Sequence, residues 1–151
     1  MAYQWPMPRL HILGASGCGT TTLGRALCAR HGWTQVDTDD VFWLPSDPPY
    51  ADIRPREERV ALMRSLLDAA RDWVVSGSMC GWGDVFIPRF DLVVFLTVPT
   101  EERIRRLTIR ERFGSSRSKT TQPPDNLRLC RDAYALDWGA DLLPIFHTSA
   151  A

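Results

Sequence analysis

The stretch ILGASGCGTTTLGRAL, Ile12 to Leu27, decides how the chain is read. A phosphate-binding loop at a strand-to-helix turn is written as glycine, four residues, glycine, lysine, then serine or threonine. Gly14 and Gly19 have that spacing and Thr21 closes the pattern, but Thr20 stands where the lysine belongs. The cradle does not need the lysine. Successive backbone amides turn inward in such a loop, and the helix that follows adds partial positive charge at its start. Gly14, Ala15, Ser16, Gly17, Cys18, Gly19, Thr20, Thr21 and Thr22 are therefore the expected phosphate-binding residues, with the Thr21 hydroxyl the expected ligand of a magnesium ion. What Thr20 takes away is a mobile positive charge. Its hydroxyl still hydrogen-bonds, but neutral bonds are about half as strong as charge-assisted ones.

Outward from the loop, the periodicities alternate. Arg9 to Leu13 reads as a short apolar strand, and Leu23 and Leu27 lie one turn apart on a helix that His31 and Gly32 should stop. Trp33 to Asp37 reads as a second strand, and the prolines of PSDPP place a loop over about Asp39 to Arg54. Pro55 should open a helix whose apolar face is Val60, Met63, Leu67 and Ala70. WVVSG reads as a buried strand. DLVVFLTV, Asp91 to Val98, is continuously apolar, as a parallel strand covered on both faces should be. Thr100 is expected to cap a helix with Glu101 and Glu102 in its first turn. This order predicts an α/β three-layer sandwich with a mainly parallel sheet, whose ligands sit at the carboxyl ends of the strands.

With 151 residues the chain is expected to form one domain over residues 1–151. Eighteen basic residues balance eighteen acidic ones, which argues against a nucleic-acid or anionic-membrane partner. No run has the apolar length of a signal peptide or a membrane span, so a cytoplasmic location is expected. Cys18, Cys28, Cys80 and Cys130 lie far apart, which favours free thiols over disulfides or zinc.

GASGCG also fits variants of the dinucleotide fingerprint, and Asp37 or Asp39 lies about 20 residues on, where a ribose-binding acid belongs. An NAD(P)-dependent oxidoreductase is thus an alternative, although such folds need two nucleotide-binding halves. A nucleotide-binding regulator without turnover is another.

GASGCGTTTLGRAL, VDTDDVFW, WVVSGSMCGWGD, DLVVFLTVP and RIRRLTIRERFG, in that order, resemble the small P-loop kinases related to adenylate kinase and shikimate kinase, within an adenylate-kinase-like branch of bacterial ATPases linked to topology modulation. The resemblance covers about residues 9 to 114. It implies a kinase that takes ATP or GTP with Mg2+ and passes the γ-phosphoryl group to a small-molecule acceptor. Among Asp37, Asp39 and Asp40, it points to Asp39 as the carboxylate that holds magnesium or orients the acceptor. Gly77 and Ser78 fall at its substrate-facing turn. Arg56 and Arg59, one helical turn apart, suit either an acceptor anion or a solvated helix face, and Trp82 suits either a lid or the core. Arg103, Arg106 and Arg110 share one helix face, with Arg112 following. They suit a lid over the phosphates, with Arg106 and Arg110 as catalytic residues that also replace the charge Thr20 lacks. Beyond Gly114 the pattern stops, so a truncated or divergent end is expected there.

Overall fold

The computed structural model describes residues 8–47 and 49–112. Strand β1 (Arg9–Gly14) leads through the glycine loop into helix α1 (Thr20–His31). Strand β2 (Thr34–Asp37) follows, then the short helix α2 (Thr38–Phe42) and helix α3 (Arg56–Asp68). Strand β3 (Trp73–Ser76), a 3-10 turn over Asp84–Arg89, strand β4 (Leu92–Leu96) and helix α4 (Thr100–Arg112) complete the described chain. The four strands form one parallel sheet in the order β2-β3-β1-β4. This order separates the fold from a dinucleotide domain, where the first and second strands are neighbours. Here β3 lies between them.

Alternation along the strands makes two cores. Leu10, Ile12 and Val74 face α1 and pack with Leu23, Leu27 and Cys28. Val36, Trp73 and Val75 face the other way, against Met63 and Leu67 of α3 and against Met79, Trp82 and Phe86. Every residue of β3 is buried, as a strand with a neighbour on each side and a helix on each face must be. Helix α1 stops where Gly32 turns left-handed at φ 73° and its amide donates to the Cys28 carbonyl at 2.8 Å.

Four expectations need correction. The apolar run of β4 is not covered on both faces: Leu92, Val94 and Leu96 pack into the α1-side core, but Val93 and Phe95 are 40% and 41% exposed. β4 is one of the two outer strands of the four. The loop expected from Asp39 begins later, because Asp37 nucleates α2: its Oδ1 accepts the Asp39 amide at 3.1 Å. The loop is then pinned by an antiparallel bridge between Trp43 and Ile53, and Arg54 donates its Nε to the Val41 carbonyl at 2.9 Å. Pro55 consequently precedes α3 instead of opening it. Lastly, Thr100 is the first residue of α4, and its hydroxyl accepts from Arg103 Nη2 at 3.2 Å.

The expectation about the segment from Gly114 onward lies outside the described residues, as does Cys130. Cys18, Cys28 and Cys80 are free thiols, as expected. Among the described residues, no helix is long and apolar enough to cross a membrane.

Candidate phosphate site

The glycine loop emerges at the carboxyl end of β1, between the ends of its two sheet neighbours. Two of its residues adopt backbone angles that side chains resist: Gly17 has φ 86° and Gly19 has φ 94°. A Cβ on Gly17 would come within 3.0 Å of the Arg103 carbonyl, so this glycine also lets α4 approach the loop. The Cys18 amide donates to the Ala15 carbonyl at 3.0 Å, closing the turn, and the Cys18 side chain is buried beneath it. Ala15, Ser16 and Thr22 are exposed, and Thr20 opens α1 half-buried.

Behind the loop stands a polar floor. The Thr21 hydroxyl donates to Asp37 Oδ2 at 2.9 Å. Gln35 reaches from β2 to the same turn, donating Nε2 to the Thr21 carbonyl at 3.1 Å and lying 3.0 Å from the Ser76 hydroxyl. Gly24 permits this approach, because a Cβ there would sit 2.8 Å from Gln35 Nε2. Asp37 and Ser76 are buried, so these bonds form largely out of water.

This floor shifts attention within the acidic cluster. Asp37, not Asp39, touches Thr21, while Asp39 sits in the first turn of α2 with its amide on Asp37 Oδ1. Two hard oxygen donors, a threonine hydroxyl and a carboxylate 2.9 Å apart beside the glycine loop, have the chemistry to hold a magnesium ion. No cluster of three or more metal-binding side chains occurs among the described residues.

The opposite rim comes from α4. Arg103 Nη1 donates to the Ser16 carbonyl and Arg106 Nη1 to the Gly17 carbonyl, both at 3.4 Å. Arg110 lies one turn further along and makes no hydrogen bond or ion pair among the described residues. Of the arginines expected on this face, Arg103 and Arg106 thus reach the loop. The Arg112 side chain falls outside the described residues.

On the far side of Asp37, Gly77 follows β3 at φ 110°, so close to Thr38 that a Cβ would strike the Thr38 hydroxyl. The Gly77 carbonyl meets His11 Nε2 at 2.9 Å, and the imidazole stacks on Phe90 with centroids 4.9 Å apart. Burial pushes the His11 pKa below its ordinary value, and the Gly77 bond offsets part of this. Trp82 belongs to the core. The Arg59 guanidinium lies 4.5 Å from the Phe42 ring centroid and 5.6 Å from that of Trp82. Its Nε is buried without a hydrogen-bond partner among the described residues. Desolvation lowers its pKa, neighbouring Arg56 adds to this, and Glu57 opposes it. Arg56 itself is exposed.

Comparison with known proteins agrees with this geometry. A family model described as "AAA domain" matches residues 11–121. The chain is 45% identical over 108 residues to the uncharacterized protein YqaC of Bacillus subtilis, a match covering 70% of this chain and 59% of that protein. It is 25% identical over 117 residues to a cytidylate kinase of Methanoregula boonei, covering 70% of this chain and 63% of the relative. The chain thus spans about three fifths of these relatives' length. Among solved structures, shikimate kinase from Acinetobacter baumannii in complex with shikimate superposes with a TM-score of 0.55 at 20% identity, covering 86% of this chain and 75% of the other. By sequence the chain belongs to the AAA domain family, and its fold is that of the shikimate kinase structure.

Proposed function

We propose that the protein binds a nucleoside triphosphate, ATP or GTP, with Mg2+ and transfers its γ-phosphoryl group to a small anionic acceptor. The observation that carries this reading is the 2.9 Å bond between Thr21 and Asp37 beside the glycine loop. It sets a hydroxyl and a carboxylate where a triphosphate's cation would lie. Magnesium there would be held by Thr21 and Asp37, with Asp39 one helical step away, and would neutralise charge on the phosphates. The loop amides from Ser16 to Thr21, apart from that of Cys18, which closes the turn on the Ala15 carbonyl, hold the donor in place. Asp39, at the start of α2, orients the acceptor hydroxyl for in-line attack. Arg106 and Arg110 stabilise charge on the transferred group.

Arg59 supports an anionic acceptor. A guanidinium set on two aromatic rings, with Nε out of water and unbonded, is a partly desolvated cation that an acceptor's carboxylate or phosphate would complete. Shikimate and cytidylate, named with the relatives above, carry such groups. On this reading residues 1–151 act as one domain in the cytoplasm, without a nucleic-acid or membrane partner.

The test is ADP or GDP release with Mg2+ and a panel of acceptors comprising shikimate, gluconate, CMP, AMP and water alone. Release that depends on one anionic acceptor, with Asp39→Asn depressing turnover roughly 100-fold or more while nucleotide affinity holds, is expected. Nucleotide binding without turnover on any acceptor would favour the regulator instead, a reading that Thr20 motivates.

A further inference from the structure

Thr20 leaves the loop without a lysine, and α4 brings cationic side chains to its rim. The first turns of α4 lie close against the loop, since a Cβ on Gly17 would meet the Arg103 carbonyl at 3.0 Å and the Arg103 Cβ at 3.2 Å. Beside that contact, Arg106 Nη1 lies 3.4 Å from the Gly17 carbonyl and 4.0 Å from the point where a Cβ on Gly19 would be. Bonds of 3.4 Å to neutral carbonyls lie at the outer limit for N–H···O, so they leave the guanidinium ready for a stronger acceptor.

Arg106 does not reach this place alone. Its Nε donates to Glu102 Oε1 at 2.7 Å, one turn back on α4. The same carboxylate takes Arg105 in a fork, Nε to Oε2 at 2.7 Å and Nη2 to Oε1 at 2.8 Å. Glu102 therefore grips Arg106 by the inner nitrogen and leaves Nη1 turned to the loop. The hydrogen bonds from Arg105 and Arg106 hold the Glu102 carboxyl down at about 2, so it stays ionised wherever the protein works. Arg105, bound in the fork, offsets its charge, and Arg106 keeps a net cation at the rim.

We infer that Arg106, oriented by Glu102, is the cation that Thr20 does not supply, so that the outer phosphates are recognised jointly by the α1 loop and by α4. This inference rests on the nucleotide reading above. It moves the essential charge from the loop's own helix to a separate element, and a planar guanidinium can fork two phosphate oxygens where an ammonium acts as a point charge. Glu102 is a positioning residue and touches no ligand itself.

The test is calorimetric titration of the full chain with MgATP and MgGTP, in the wild type and in Arg106→Ala, Arg106→Lys, Glu102→Gln, Thr20→Lys, and Thr20→Lys combined with each of Arg106→Ala and Glu102→Gln. Arg106→Ala should weaken triphosphate binding roughly 10- to 100-fold, and Arg106→Lys should recover part of it. Glu102→Gln should weaken binding by a smaller factor. Thr20→Lys should restore much of the loss in both backgrounds while tightening the wild type little, a coupling that a merely structural role for Glu102 would not produce. If the wild type binds and Arg106→Ala binds equally well, or if Thr20→Lys gives the same gain in every background, this inference is overturned and the nucleotide reading stands. If neither triphosphate binds the wild type, both fall together.

Discussion

One wall of the glycine loop is dry and the other is wet. Asp37 is 9% exposed, held between the Thr21 hydroxyl and the Asp39 amide, whereas the side chains of Arg105 and Arg106 are 62% and 42% exposed and held by one carboxylate. Buried polar bonds are expensive to break, because the partner left behind stays desolvated. Exposed ion pairs contribute about 0–1 kcal/mol to stability and leave the chain folded when lost. The floor of the site is therefore bound up with the fold, while the rim is free to change with the ligand. In a chain whose loop lacks the lysine, the wet side is where a replacing charge costs little stability.

Substitutions in the loop and in its floor should have the largest effects. Gly19→Val forces a branched side chain to φ 94° where backbone must approach phosphate, and should abolish nucleotide binding, a loss of more than about 100-fold by calorimetry. Asp37→Asn keeps the shape but removes the charge. Triphosphate affinity should fall roughly 10- to 100-fold when magnesium is present and change little in EDTA, a difference that singles out Asp37 as a metal-side group. On the rim, Arg103→Ala should weaken ATP binding by only about 3- to 10-fold, with thermal unfolding within about 0.5 kcal/mol of wild type. Equal losses of stability at Asp37 and Arg103 would break the contrast between the two walls.

The smallest effect tests the dry side alone. His11 is buried with its pKa lowered, so the unfolded chain takes up a proton that the folded chain refuses. Stability should be flat above the ordinary histidine value of 6.5 and fall as pH drops below it, by at most about 1.4 kcal/mol per pH unit. His11→Phe should remove that slope in a pH series of thermal melts. Persistence of the slope would assign it to other groups.

Much of this was legible in the sequence, and what was not has physical reasons. Three glycines between an apolar run and a helical period fix the β1–α1 turn locally, so the loop and its order of elements could be read from residues alone. The exposure of Val93 and Phe95 could not, because an apolar run does not say whether its strand is central or outermost. PSDPP drew the loop too early and hid α2, although an aspartate followed two residues later by another acid carried the capping signal. The resemblance points to Asp39, while spacing places the acids at one strand end without saying which one faces Thr21. Helical period put Arg103, Arg106 and Arg110 on one face, but only the packing of α4 against Gly17 shows that the first two meet the loop. Gln35 gave no signal at all. Its role depends on Gly24 and Ser76, far apart in sequence.

The central claim is that this loop, without its lysine, holds a nucleoside triphosphate together with magnesium. Calorimetric titration of the wild-type chain with ATP, GTP, NAD and NADP, each with magnesium and with EDTA, tests it most directly. The account predicts that ATP or GTP binds with one-to-one stoichiometry and that magnesium tightens the binding, while neither dinucleotide gives measurable heat. Binding of NADP without ATP or GTP, or triphosphate binding indifferent to magnesium, would contradict it.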